Sequence, residues 1–193
     1  HTGWDHKWTE FHPGFYMKDA TGNFYDKNGW HDVIDLNYYD TGMRQAMIDA
    51  MSFWVREFGI DGFRIDTARH LDPQFFQRWM PQVVARVQAA GAAVPQMFGE
   101  VASRDLAEVS GFVRNGGLQS VLDFPLDQAL TEYVATGDAS NLRSVLGWDD
   151  FYNRGASPGG ANSNVYSLVT FAGNHDTGLI YANAYSLLEA EVD

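Results

Sequence analysis

Between residues 41 and 58, apolar side chains recur at Met43, Met47, Met51, Trp54 and Phe58. The spacing is near 3.6 and predicts an amphipathic helix packed through that stripe. Asp40 or Thr41 can cap its start, and Gly59 can stop it. The period then shortens to two. Residues 62–66 read as a strand in which Phe63 and Ile65 face one way, Arg64 and Asp66 the other. Asp72 and Pro73 open a second helix, and Pro81 inside its pattern predicts a kink or a break. Residues 96–101 predict a second strand, 106–114 a weaker helix and 119–124 a third strand. Helical residues flank Gly137, and a glycine-rich loop, GASPGGANSN, follows. Residues 165–172 predict a fourth strand, and the terminal segment a last helix. Four strands alternating with helices predict a parallel sheet with right-handed crossovers.

Residues 1–40 carry no such period. They are dense in aromatic residues, Trp4, Trp8, Tyr16, Phe24 and Trp30 among them. That load needs burial, so the segment is expected to be an irregular excursion with a small core of its own. Within it, FYMKDATGNFYD predicts two short strands around a turn at 19–22. The chain is thus divided into an excursion, 1–40, and an α/β part, 41–193.

Bulk properties narrow the function. The 193 residues suffice for one domain or for part of a larger one, and 45% hydrophobic content excludes a disordered chain. Thirteen basic against 25 acidic residues give a net charge of −12, which argues against nucleic acid or an anionic membrane surface and suits a neutral ligand. There is no cysteine, so disulfides and thiolate-bound zinc are excluded. No apolar run approaches the ~18 residues of a membrane-crossing helix. The abrupt start at HTGWDHKW and the helix-like end suggest a piece of a longer protein.

The charged positions are the informative ones. Charge on a strand costs several kcal/mol if buried without a partner or a use. In a β/α barrel the Arg64–Asp66 face points into the barrel mouth, and catalytic groups sit at the C-terminal ends of strands. Asp66 ends the first predicted strand. Glu100 ends the second, in MFGEV, and His175 and Asp176 follow the fourth, in VTFAGNHDT. A lone carboxylate at a strand end is ordinarily a helix cap or a loop charge. Three at equivalent positions, one with a cation two residues before it, point to chemistry. Arg64 stabilises the charge that Asp66 needs as a nucleophile, and Glu100 can hold a proton as a general acid. Two carboxyl groups with unlike environments are what glycosidic cleavage requires.

These motifs resemble those of the α-amylase family of glycoside hydrolases. GFRIDTARH is similar to the family's strand-four motif, Gly-Phe-Arg-x-Asp-x-x-Lys-His. FGEV resembles the strand-five motif, FAGNHDT the strand-seven motif, and VIDLN, 33–37, a short motif ahead of the helix before strand four. The resemblance implies a partial TIM (β/α)₈ barrel of about four β/α units, family strands four to seven, preceded by the excursion. It implies Asp66 as nucleophile, Glu100 as acid and then base, and Asp176 as a group that binds sugar hydroxyls and distorts the ring. Arg64 would position Asp66, and His175 would donate to sugar hydroxyls. Arg69 and His70 stand where the family has Lys-His on the leaving-group side, and arginine changes the hydrogen-bond geometry there.

The resemblance further implies a structural calcium held by Asp35 and the backbone oxygen of His70. A further ligand would come from a strand-three motif that has no counterpart here, and no organic cofactor is implied. The expected partner is an α-glucan or oligosaccharide, with the remainder of the barrel in the parent protein. The isolated chain is expected to be inactive or nearly so. Transglycosylation, or action on a disaccharide, uses the same trio and stays open. A non-catalytic carbohydrate-binding or structural relative is the reading from another class. The aromatics of 1–40 could stack on sugars, although a small core is their commoner use. His6, His12 and His31 have no ligand spacing.

Overall fold

The computed structural model describes residues 13–24, 36–114, 117–146, 152, 168–180 and 182. Asp35, half of the aromatics of 1–40, His6, His12, His31, the glycine-rich loop and the terminal helix lie outside them. The chain divides into two compact units, residues 1–61 with 81–94, and residues 62–80 with 95–193.

In the first unit, Lys18 and Phe24 form an antiparallel bridge around the expected turn. Asp19 organises it: its Oδ1 accepts from the Thr21 and Asn23 N–H groups, both at 2.9 Å. Helix α1, Thr41–Phe58, starts at Asp40, whose carboxylate accepts from the Met43 N–H, and ends at Gly59 in the left-handed conformation glycine adopts freely. The expected packing stripe is corrected. Met43, Ile48, Ser52 and Val55 are buried, whereas Trp54 and Phe58 are 47% and 64% exposed. Both stripes have helical spacing and lie side by side on one cylinder. The periodicity reveals the helix, and the neighbours choose which stripe is covered.

The second unit holds a parallel sheet in the order β1 (Gly62–Ile65), β2 (Gln96–Gly99), β3 (Ser120–Val121). Gly62 pairs with Gln96, Ile65 with Gly99, and Gly99 with Val121. Helix α2, Pro73–Ala89, of which residues 73–80 belong to this unit, follows β1 in the chain, and helix α3, Leu106–Arg114, follows β2, as the alternation predicts. Met97, Val101, Val109, Val113, Leu118 and Val121 are fully buried or nearly so. Phe75 stacks on Trp79 with ring centres 5.6 Å apart.

Two expectations are revised, and of the kink or break expected at Pro81 the break is absent, since helix α2 runs through it. A mid-helix proline costs about 3 kcal/mol. Phe76, Trp79, Met80, Val83 and Val87 are all buried along this helix, and full burial of one such side chain is worth roughly 1.5–3 kcal/mol. The third strand stops short of residue 124, because Asp123 caps helix α4, Phe124–Thr136, and Pro125 occupies its first turn. Of the expected fourth strand, the described residues 168–172 contribute one parallel bridge, Leu122 with Val169. There the Val169 N–H donates to Val121 O at 3.1 Å and the Asp123 N–H to Val169 O at 3.0 Å. Helix α5 follows at Ser140–Leu146. An unexpected antiparallel hairpin, β4 (Gly173–Asn174) with β5 (Gly178–Leu179), completes the described chain.

Candidate active site

Parallel strands bring their C-terminal ends to one edge of a sheet. Asp66, Glu100 and Asp123 each follow strand pairing at that edge, and the chain passing beside β3 at Val169 leads to the β4–β5 turn with His175 and Asp176.

Arg64 is the hub. Its Nη1 donates to Asp66 Oδ1, and its Nη2 donates to Glu100 Oε1 at 2.7 Å. A planar guanidinium with donors in a fixed fork suits two carboxylates at once. The two acids sit differently: the Asp66 side chain is 67% exposed and that of Glu100 only 9%. The other Glu100 oxygen, Oε2, accepts from the Thr67 N–H at 2.9 Å. The main chain of Glu100 is also tied down. Its N–H donates to Ile65 O at 2.8 Å, and its carbonyl accepts from the Arg69 N–H at 3.2 Å.

Local sequence makes this grip feasible. Thr67 has φ 48° and ψ 31°, and it is the only non-glycine with positive φ among the described residues. That conformation costs a β-branched residue of order 1–3 kcal/mol and persists only where surroundings impose it. Gly99 leaves room for a close approach. A Cβ there would lie 2.6 Å from Leu118 Cδ1 and 3.0 Å from the Ala68 Cβ in the 3₁₀ turn Ala68–His70.

Arg69 faces Glu108, the third residue of α3. Nε donates to Oε1 at 2.7 Å, Nη2 to Oε2 at 3.1 Å, and Nη1 to the Ala102 carbonyl at 2.8 Å. The Ser103 hydroxyl donates to Glu108 Oε2 at 2.5 Å. Hydrogen bonding from Arg69 above all, helped by Ser103, holds the Glu108 carboxyl below its ordinary range against a burial effect that raises it. His70 is half-buried, and its N–H closes the turn onto Thr67 O at 3.0 Å.

His175 and Asp176 form their own exposed pair, Nε2 to Oδ2 at 3.2 Å. Asn174 Oδ1 accepts from the Asp176 and Thr177 N–H groups, both at 2.8 Å. Among the described residues, neither has a hydrogen bond or ion pair to Asp66 or Glu100. The structure therefore gathers Arg64, Asp66 and Glu100 into one network, adds Arg69 at its back, and leaves the third carboxylate on a separate turn.

Thr67, Ser103, Glu108 and Asp123 were not anticipated. The Asp105-Leu-Ala-Glu108 pattern reads locally as a capping box, but Glu108 turns to Arg69 instead. Asp123 is a buried cap, and burial holds its carboxyl above the usual range despite the opposing hydrogen bond from the Leu126 N–H. Among the described residues no group of three or more His, Asp or Glu side chains is placed to hold a metal ion. Asp35 lies outside them, so the implied calcium has no described ligand set.

Comparison with known proteins places this arrangement. The model of the alpha-amylase catalytic domain matches residues 3–186. The chain is 41% identical over 128 residues to an alpha-amylase of Streptomyces lividans, covering 66% of this chain and 13% of that protein. It is 26% identical over 157 residues to a cyclomaltodextrin glucanotransferase of Klebsiella oxytoca, covering 75% and 22%. The crystal structure of an Anoxybacillus alpha-amylase superposes with a TM-score of 0.69 at 24% identity, over 96% of this chain and 39% of that one. The described parallel sheet and its helices are part of the TIM barrel of such enzymes. The chain spans well under half the length of each of these proteins, and it belongs to the alpha-amylase family of glycosidases, within the catalytic domain.

Proposed function

We propose that the protein carrying this domain is a retaining glycoside hydrolase that cleaves α-glucosidic bonds in starch-like glucans or malto-oligosaccharides. The observation that carries this reading is the sharing of one guanidinium by Asp66 and Glu100. An inverting pair must leave room for a water between its carboxyls at about 6.5–9.5 Å, whereas a retaining pair stands about 5–5.5 Å apart. Two carboxylates on one guanidinium favour the closer arrangement.

In this reading an Asp66 oxygen attacks the anomeric carbon while the glycosidic C–O bond breaks, and Glu100 gives its proton to the departing oxygen. Glu100 then takes a proton from water, which displaces Asp66 from the sugar. Asp176 and His175 hold hydroxyls of the ring, and His70 lines the leaving-group side. Residues 1–40 form the excursion and 41–193 the partial barrel of about four units. An eight-stranded barrel would close the parallel edges that this sheet leaves among the described residues. The isolated 193-residue chain is therefore inactive or weakly active.

The test is reducing-sugar release from soluble starch by the full polypeptide, with Asp66→Asn as its control. Loss of activity in that variant and an α-anomer as first product are expected. Unchanged activity, or a β-anomer, would overturn the mechanism. Robust hydrolysis by the isolated chain would overturn the claim about the fragment. A second reading, transglycosylation, is favoured by the likeness to the Klebsiella oxytoca glucanotransferase. Cyclic or lengthened products would identify it, since water and a sugar hydroxyl compete for the same intermediate.

A further inference from the structure

We infer that Arg69 and Glu108 form a brace whose task is to position Glu100. This rests on Glu100 being the acid of the proposed reaction, and it adds residues that the reading does not use.

The brace joins two loops. The turn after β1 supplies Thr67 and Arg69, and the segment after β2 supplies Ala102, Ser103 and, one helical turn on, Glu108. Arg69 crosses between them with all three of its guanidinium nitrogens engaged, two on Glu108 and one on the Ala102 carbonyl. Glu108 is seated in turn by Ser103. Glu100 opens the segment after β2, and the turn after β1 grips it twice: the Thr67 N–H on its carboxylate at 2.9 Å, the Arg69 N–H on its carbonyl at 3.2 Å. A threonine does not hold φ 48° without restraint. The restraint two residues later is the Arg69 fork. If the fork is released, Thr67 can relax toward an ordinary conformation, and its N–H leaves Glu100 Oε2. Arg69 is thus a positioning residue that works through the turn it anchors. An arginine serves where a lysine would not, because one ammonium cannot hold both Glu108 oxygens and the Ala102 carbonyl in a planar fork.

The experiment uses the full polypeptide and two substrates. One is a malto-oligosaccharide, whose leaving oxygen needs a proton. The other is a dinitrophenyl α-maltoside, whose leaving group does not. A displaced acid slows bond cleavage, read as kcat/KM, only for the first, whereas the later attack of water needs Glu100 as base with either substrate. Misplacement by about 1 Å costs up to about a hundredfold in rate. Glu108→Gln is therefore expected to lower kcat/KM on the malto-oligosaccharide by roughly tenfold to a hundredfold, with kcat/KM on the dinitrophenyl substrate preserved. Arg69→Lys should show the same selectivity. Ser103→Ala removes a single hydrogen bond from Glu108 and should give a smaller selective loss, which keeps the test open if Glu108→Gln folds poorly. Equal losses of kcat/KM on both substrates, or no loss on either, would overturn the brace. Glu100→Gln separates this from the parent reading. If that variant shows no substrate selectivity in kcat/KM, Glu100 is not the acid and both inferences fall. If Glu100→Gln is selective and the brace variants are not, only the brace falls.

Discussion

Glu100 and Asp176 are both acids beyond strands, yet they are held in opposite ways. The side-chain partners that fix Glu100 come from 36 and 33 residues away, Arg64 and Thr67, and its side chain is almost buried. Asp176 sits on an exposed turn whose stays, through Asn174, span two and three residues. The first position exists only because β1 and β2 pair in register, Ile65 beside Gly99. The second is an Asx-type turn that a short segment can form by itself. In the proposed reaction Glu100 must keep and give up a proton, which needs a built environment, and Asp176 would touch sugar hydroxyls, which needs reach and exposure.

Substitutions can break that contrast, beginning with the most damaging. Arg64→Met removes the donor shared by both acids and leaves a nearly buried carboxylate short of a partner. Hydrogen bonds to charged groups are worth roughly 1.5–3 kcal/mol, so thermal or urea melts should show a loss of about 2 kcal/mol, and activity should collapse with it. A stability unchanged from wild type would show that Glu100 does not rely on Arg64. Asn174→Ala should cost less, about 1 kcal/mol or under, because water can satisfy the exposed N–H groups of Asp176 and Thr177. Its main effect should be a raised KM with a small change in kcat. A large kcat effect would mean that Asp176 is as tightly placed as Glu100.

Asp123 offers the gentlest test, and it acts through pH. Burial holds its folded-state carboxyl above the unfolded value of 3.8. The stability it confers is therefore fully present below that value and is lost as pH rises through the folded value. Asp123→Asn retains an oxygen for the Leu126 N–H and should flatten that decline, leaving the variant as stable as wild type or more so at neutral pH. Greater loss at neutral than at acid pH would contradict the burial argument. Glu108 has the opposite sign, since Arg69 and Ser103 hold its carboxyl below 4.5. Its contribution is present above that value and is lost as pH falls through the folded value.

Much of the second unit was legible in advance because its signals are short-range. The alternation around Phe63 and Ile65, the Asp72-Pro73 start and the 106–114 helix each declare themselves within a few residues. The motifs carrying Asp66, Glu100 and Asp176 were legible for the same reason. The choice between adjacent apolar stripes on α1 was not, since Met47, Met51, Trp54 and Phe58 satisfy the same period as Ile48, Ser52 and Val55. Pro81 does not break its helix because burial along the whole helix outweighs the local rule. Glu108 was hidden because its local context is a complete capping pattern.

The sequence by itself determined which residue types end the strands, in what order, and thereby the family. These are properties of residue identity and spacing, and they need no neighbours. Tertiary structure alone decided that Arg64 would be shared between Asp66 and Glu100, that Thr67 would be held at positive φ, and that Arg69 would turn to Glu108. Those outcomes depend on the register of β2 against β1 and on the closeness that Gly99 allows. Register and approach arise from packing between segments more than thirty residues apart, and no local pattern encodes them.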